Sequence, residues 1–129
     1  MEDRFLILNV VKCLECGEIL ESHNRHDYKT CSCPNGTIVD GGLDYERFGG
    51  KDLNKVKSQS IYSDAPFEVI RENLYRGGRG INSDEPLTYT KLSEMNDGWV
   101  LAVIKYEEER RPDNKYLPFF REEKKYRKI

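Results

Sequence analysis

Four cysteines in two close pairs constrain the fold of this chain more than any other feature of its sequence. Cys13 and Cys16 form the first pair, with two residues between them, and Cys31 and Cys33 form the second, with one residue between them. Fourteen residues separate the pairs, a length typical of a β-hairpin. Two cysteine pairs joined by a hairpin are how a zinc ribbon is built. The spacing therefore predicts one Zn²⁺ ion bound by all four thiolates.

The residues beside the cysteines agree with this prediction. Gly17 follows the first pair, where the chain must turn sharply and a positive φ is favoured. Lys12 and Lys29 lie near the ligands in sequence, and we expect them to offset part of the negative charge of the thiolates. A zinc ion with four protein ligands has no open position for water, so we expect a structural metal rather than a catalytic one.

Two other interpretations of the cysteines remain open. His23 and His26 lie inside the hairpin, and a mixed Cys/His site is an alternative because the Cys31–Cys33 gap is one residue shorter than usual. A thiol redox pair is the second alternative. Such pairs begin a helix, whose dipole lowers the thiol pKa, whereas the residues after Cys16 have a strand pattern.

Composition limits the class of protein. The chain has 129 residues, enough for one domain or one domain with a small appendage, and a net charge of −2. A protein that coats DNA usually has a clear basic excess, so this function is disfavoured. The longest apolar run, Phe5 to Val11, is interrupted by Asn9 and is far shorter than the roughly 20 residues of a membrane span. It also lacks the flanks of a signal peptide. We expect a cytoplasmic protein (in the host cell cytoplasm if viral) with no membrane partner.

Residues 1–50 are predicted to form the zinc-ribbon domain, a small antiparallel sheet. Short runs rich in branched residues lie on both sides of each cysteine pair, and Asn35-Gly36 is a turn signal between two of them. The Asp40 to Asp44 stretch lacks the ligand count of a calcium loop and is predicted to be a hairpin turn. The predicted strands are residues 5–11, 18–22, 28–30, 37–40 and 43–48.

Residues 51–62 have few apolar residues and no period, and are predicted to be a linker. Residues 63–129 are predicted to form a helical part packed on the ribbon. The first helix follows Ser63 or Asp64 and stops at Gly77-Gly78, and the second runs from Asn96-Asp97 to about Arg110, before Pro112. A third helix covers residues 119–126. The fold class is therefore α+β, a four-cysteine ribbon followed by about three helices.

Two segments of the helical part are candidates for binding. Arg76-Gly77-Gly78-Arg79-Gly80 joins two cations to glycines and could contact phosphate, although a helix C-cap with a mobile loop explains the same residues. The tail from Phe120 to Ile129 has a net charge of +3 with aromatic residues between the cations. It could meet an acidic protein or single-stranded nucleic acid, or simply dock as a terminal helix. The stripe of Trp99, Val103, Ile104 and Tyr106 is predicted to be helical core.

No nucleophile–base pattern, phosphate-loop signature or spaced carboxylate pair is present in the sequence. We therefore expect a protein that is not an enzyme and has no small-molecule substrate.

The cysteine pairs and the following Val39 to Tyr45 segment resemble a family of uncharacterised zinc-ribbon proteins encoded by tailed bacteriophages. The resemblance extends to Phe67–Arg71, Arg76-Gly77, Leu92–Met95 and Glu123–Arg127. It implies a viral accessory protein with a zinc ribbon and a helical C-terminal part, and it supplies no activity. By analogy with small phage accessory proteins, we expect a protein that binds and inhibits a host protein, including a defence protein. The alternative is nucleic-acid binding through the ribbon, the Arg76 to Gly80 segment and the basic tail. Interface anchors are commonly Tyr, Trp or Arg, and the aromatic candidates are Tyr116, Phe120 and Tyr126.

Overall fold

The computed structural model describes residues 4–79 and 82–129, so that Gly80 of the arginine–glycine segment lies outside the described residues. The chain divides into two compact units, the first ending at Ala65 and the second beginning at Pro66. The described residues form small antiparallel sheets and three α-helices, with the four cysteines close together in the first unit. This confirms the predicted α+β class. None of the helices in the described part is long and apolar enough to cross a membrane.

The first unit is built from short strands around one long strand. Its strands are β1 (Leu6–Cys13), β2 (Ile19–Ser22), β3 (Lys29–Thr30), β4 (Ile38–Asp40), β5 (Arg47–Gly49), β6 (Val56–Ser58) and β7 (Ile61–Tyr62), with a 3₁₀ turn at Leu53–Lys55.

Strand β1 lies at the centre of the larger sheet and is almost entirely buried. It pairs antiparallel with β2, with Val11 opposite Leu20, and on its other side with β6, with Cys13 opposite Val56. Asn9, which interrupts the apolar run, is completely buried. Its Nδ2 donates to the carbonyl oxygens of Asp40, Gly42 and Tyr45 at 2.9–3.2 Å. The apolar run from Phe5 to Val11 therefore contributes the central strand of the core. Its one polar residue, Asn9, holds the turn after β4 through these hydrogen bonds.

Residues 51–62 were predicted to be a linker, but this segment contains two strands of the first unit. Strands β6 and β7 pair with β1, and Ile61 lies opposite Leu8. The Ser60 hydroxyl accepts a hydrogen bond from Val10 N at 3.1 Å. Strands of two or three residues carry almost no periodic pattern, so the polar composition concealed them.

The second sheet of this unit has the order β3–β4–β5, with Thr30 opposite Ile38 and Val39 opposite Phe48. The strand predicted over residues 43–48 begins only at Arg47. Gly41 and Gly42 both have positive φ, and the Asp44 and Tyr45 amides donate back to Gly41 O. The turn is thus longer than the sequence indicated.

The second unit consists of α1 (Phe67–Arg71), β8 (Tyr75–Gly78), β9 (Thr88–Lys91), a 3₁₀ turn (Leu92–Glu94), α2 (Asp97–Arg110) and α3 (Leu117–Arg127). The first predicted helix is too long, since α1 ends at Arg71. Gly77 and Gly78, predicted to stop that helix, instead belong to β8 and pair with Tyr89 and Thr88. Apolar residues at positions 67, 70 and 74 imitate a helical period, but Leu74 leaves the helix and accepts a hydrogen bond from Leu92 N.

Helix α2 matches its predicted bounds. Asn96 Oδ1 accepts a hydrogen bond from Trp99 N at 2.8 Å, as an N-cap residue should. Val103 and Ile104 are buried as predicted, whereas Trp99 is half-buried and Tyr106 is exposed. The core of this unit also includes Ile70, Leu74, Leu92, Met95, Val100, Leu117 and Phe120.

Candidate metal centre

The Sγ atoms of Cys13, Cys16, Cys31 and Cys33 all lie within 4.8 Å of one another. The Cys33 sulfur is 3.5 Å from that of Cys13 and 3.4 Å from that of Cys31. A disulfide would need about 2.0 Å, and the four cysteines are free thiols. Four sulfurs at about 2.3 Å from a tetrahedral zinc ion would be about 3.8 Å apart. The cluster therefore has the donor set and nearly the spacing that such an ion requires.

The first pair sits in a tight turn at the end of β1. Gly17 N donates to Cys13 O at 2.7 Å, and Cys13 N donates to Glu18 O at 2.9 Å. Gly17 has φ +80°, a conformation that side chains disfavour. The predicted glycine turn is therefore present, and it brings Cys16 back over Cys13.

The second pair sits in another glycine-containing turn, between β3 and β4. Cys31 N donates to Thr37 O at 2.9 Å, Gly36 N donates to Cys33 O at 3.0 Å, and Gly36 has φ +56°. Thr37 N also donates to the Cys31 sulfur at 3.2 Å. Gly36 is five residues after Cys31, whereas Gly17 is four residues after Cys13. Two residues lie between Cys33 and Gly36, whereas Gly17 follows Cys16 directly. This longer segment accompanies the shorter gap between Cys31 and Cys33, and both sulfurs still reach the cluster.

A buried polar pair supports the second turn. Asn35 and Thr37 are both buried, and Asn35 Nδ2 donates to Thr37 Oγ1 at 2.8 Å. Asn35 also accepts hydrogen bonds from the backbone amides of Asp52, at its Oδ1, and Lys51, at its main-chain oxygen. The sequence identified Asn35 only as a turn residue and Thr37 only as the start of a predicted strand, and it did not indicate that either supports the cysteine cluster. Two polar residues just after a cysteine pair are visible in the sequence, but their position does not show that their side chains are buried.

The thiols differ in how readily they ionise. A hydrogen bond from the Thr37 side chain is the largest effect on Cys13 and lowers the pKa of that thiol to about 6. Burial raises the pKa of Cys33 to about 12. A cluster with these pKa values gives up its first proton readily, and the remaining protons leave when a cation binds. The donor chemistry therefore suits a divalent metal.

Lys55 is a cation beside the cluster that the sequence did not indicate. Lys29 lies 3.2 Å from Asp27, which already balances its charge. Lys55 hydrogen-bonds Glu15 at 3.1 Å, and its pKa is raised by that bond and, to a lesser extent, by the nearby Cys33. The segment that carries Lys55 was predicted to be a linker, which explains why this residue was missed.

Neither histidine belongs to the cluster. Among the described residues, the group able to hold a metal ion consists of the four cysteines. His23 is about half buried, and this burial lowers its pKa. The mixed Cys/His alternative thus receives no support from the described geometry.

The residues predicted to bind a partner are all in the second unit, but they do not form one site. Arg76 and Arg79 line a common pocket, whose lining includes none of Tyr116, Phe120 and Tyr126. Phe120 is only 4% exposed, so its prediction as an exposed anchor is wrong: it faces the core of the unit. Tyr126 is exposed, with the Arg71 guanidinium 4.3 Å from its ring centre, and Tyr116 is half-buried.

Fold and cluster together define a class: a small α+β protein with a four-cysteine group compatible with a small zinc-binding domain. A family model described as a domain of unknown function (DUF7695) matches residues 5–50, the segment that contains both cysteine pairs. Comparisons with curated proteins and with solved structures gave no match.

Proposed function

We propose that the four cysteines hold one structural zinc ion and that the protein acts by binding another macromolecule, without catalysing a reaction. The observation that carries this proposal is the convergence of four sulfurs from two glycine-containing turns. Four thiolates complete the tetrahedral shell of zinc, so the ion supplies folding energy and leaves no position for a reacting water.

A host protein is the partner we favour, and the surface beside the first cysteine turn supports it. Leu14, inside that turn, is 50% exposed, and Leu53 is 67% exposed. Their segments are joined by a hydrogen bond from Leu14 N to Lys55 O at 2.7 Å. Exposed leucines on two adjoining segments, each fixed by backbone hydrogen bonds, form a surface that another protein can bury.

The resemblance to phage zinc-ribbon proteins supports the more specific role of an accessory protein that inhibits a host factor, including a defence factor. An inhibitor that works by occupying a surface must act at close to one copy per target, because each bound copy blocks one site. An enzyme would inactivate its target at far lower ratios, progressively with time.

Capture of partners from nuclease-treated bacterial lysate tests this function. The zinc-loaded chain should retain a host protein, and a variant with Leu14→Gln and Leu53→Gln should lose it. Leu101→Gln is a matched control, because Leu101 is also exposed but lies on α2 in the second unit. Titration of the retained protein should then reach an endpoint near one equivalent. Equal capture by all three chains would contradict the proposed surface, and inactivation far below one equivalent would indicate an enzyme.

Nucleic acid is the second candidate, and it receives less support from the basic tail than the sequence suggested. Arg127 donates to the carboxylate of Glu123, and Arg121 lies 2.9 Å from Glu108. Both cations are therefore already paired. The observation that favours this candidate is the pair Arg76 and Arg79 beside a pocket. Gel shifts with DNA and RNA at low salt test it, since phosphate contacts weaken steeply as salt rises.

A further inference from the structure

The second unit contains a pocket of about 650 Å³ between the β8–β9 hairpin and the start of α2. Its walls include Arg76, Gly78, Arg79, Thr88, Thr90 and Trp99. The volume lies within the range of about 300–1,000 Å³ typical of small-molecule sites. It is separate from the cysteine cluster, which belongs to the first unit.

The hairpin register explains why this wall is polar. Arg76 lies opposite Thr90, and Gly78 lies opposite Thr88. Side chains of directly opposed residues point to the same face, and alternate residues of a strand share that face. One face of the hairpin therefore presents an arginine and two threonine hydroxyls to the pocket.

Gly78 has no side chain to cover the indole of Trp99, the aromatic residue in the pocket lining. A Cβ atom built on Gly78 would lie 3.5 Å from Cζ2 of Trp99, so a larger side chain would extend across the indole. The glycine in this strand therefore has a steric consequence for the pocket, whereas the sequence had suggested that it ends a helix.

Two arginines, Arg76 and Arg79, line the pocket on the side of β8. Arg76 Nη1 donates to Glu107 at 3.2 Å, which fixes that guanidinium at the wall. Arg79 is exposed, and its guanidinium has no ion pair within residues 4–79 and 82–129. Glu85, also at the rim, supplies a hydrogen-bond acceptor.

We propose that this pocket binds a nucleoside phosphate. The base would contact the indole of Trp99, the phosphate would pair with Arg79, and the threonine hydroxyls and Glu85 would bond the sugar and the polar edge of the base. Aromatic contact together with an arginine–phosphate pair is the combination by which proteins hold single nucleotides and single strands. This site rests on the second candidate of the proposed function and names a ligand class for the pocket beside Arg76 and Arg79. It needs neither the metal nor the leucine surface of the first unit.

Trp99 is the one tryptophan of the chain, so its fluorescence reports directly on the pocket. The full chain loaded with zinc is titrated with uridine monophosphate, with a short oligothymidylate and with inorganic phosphate, and calorimetry checks each titration. We expect saturable quenching by the first two probes and much weaker binding of phosphate alone. No saturable binding of either nucleotide probe at millimolar concentration would overturn the proposal, as would phosphate binding as tightly as the nucleotide.

Two variants locate the binding. Arg79→Gln removes an exposed cation without disturbing the core and should weaken the nucleotide by about tenfold, the scale of a charge-assisted hydrogen bond. Gly78→Val should occupy the space beside Trp99 and abolish binding. Arg110→Gln, which removes an exposed arginine at the far end of α2, should bind like the parent chain. Equal affinity in the Arg79→Gln and Arg110→Gln variants would overturn the assignment even if Gly78→Val failed to fold.

The two nucleotide probes also distinguish a site for free nucleotides from a site for one unit of a single-stranded nucleic acid. If the site serves free nucleotides, uridine monophosphate should bind as tightly as the oligomer. If it serves one unit of a single strand, affinity should rise with oligomer length and fall with salt. Either pattern supports nucleotide binding in the pocket, and the pattern observed shows whether the ligand is a free nucleotide or a strand.

Discussion

Glu123 on α3 and Arg71 on α1 form a two-point ion pair inside the second unit. Arg71 Nε donates to Oε1 at 2.8 Å and Nη2 donates to Oε2 at 2.7 Å, while the Glu123 side chain is completely buried. Arg127 also donates to Oε2, and its Nη atoms donate to the carbonyl oxygens of Met95 and Leu92. A buried carboxylate is tolerated only when it is paired in this way. The pair therefore ties α1, α3 and the 3₁₀ turn together.

We expect Glu123→Gln to destabilise the protein by about 3 kcal/mol, because it removes the buried counter-charge of Arg71 and Arg127. The two half-buried guanidinium groups then keep only the exposed carboxylates of Glu72 and Asp97. Urea unfolding followed by Trp99 fluorescence measures this change in the second unit. Glu122→Gln is the matched control, since Glu122 is exposed on the same turn of α3 and should cost less than about 0.5 kcal/mol. A similar cost for both substitutions would show that the buried pair contributes little.

Glu107 on α2 is a second buried carboxylate and predicts a pH dependence. Burial alone would raise its pKa, but hydrogen bonds from Arg111, Asn114 and Arg76 outweigh burial and hold the pKa below the ordinary value of 4.5. A carboxylate whose pKa is lower in the folded state contributes stability above its unfolded pKa, and this contribution is lost as the pH falls through the folded pKa. The free energy of unfolding of the second unit should therefore decline below about pH 4.5.

Unfolding by urea at several pH values between about 7 and 3, read from Trp99, measures this decline. Glu107→Gln should be less stable at neutral pH and should show a shallower loss on acidification. Because Trp99 lies in the second unit, release of metal from the first unit on acidification is followed separately by metal analysis. Parallel pH profiles for the two chains would contradict the assignment to Glu107.

The sequence predicted features that depend on neighbouring residues. The cysteine turns need only their spacing and a glycine, and α2 needs only the Asn96 cap, an apolar stripe and Pro112. Features that depend on distant residues were missed. Strand β6 is visible only through its pairing with β1, more than forty residues earlier. The burial of Glu107 and Glu123 was not predicted, because nothing local shows that Arg76 and Arg71, 31 and 52 residues away, reach them. For the same reason the pattern could not show which aromatic residues of α3 face the core.

Metal analysis should give close to one zinc ion per folded chain, and Cys13→Ser or Cys31→Ser should abolish it. Structural zinc in small domains contributes on the order of 10 kcal/mol at neutral pH, so the first unit should also lose its fold. A variant with His23→Ala and His26→Ala should retain the metal. A folded, reduced sample without metal would contradict the zinc site, and loss of metal from the histidine variant would restore the mixed-ligand alternative.

The support that Thr37 gives to the cluster predicts a loss of zinc affinity without loss of any ligand. Thr37 is completely buried, its amide donates to the Cys31 sulfur, and its hydroxyl connects Asn35 to Cys13. In Thr37→Val the side chain keeps its shape, but the hydrogen bond to the Cys13 thiolate disappears and Asn35 loses an acceptor. Residues that orient metal ligands typically change affinity by about 10- to 100-fold, and we expect the lower end here because all four sulfurs remain. Competition with a zinc chelator at neutral pH measures the change.

Thr30→Val is the matched control. Thr30 adjoins Cys31 but is exposed on β3, so its substitution should leave the affinity unchanged. Equal affinities for the two variants would mean that the buried hydroxyl only fills space beside the metal centre.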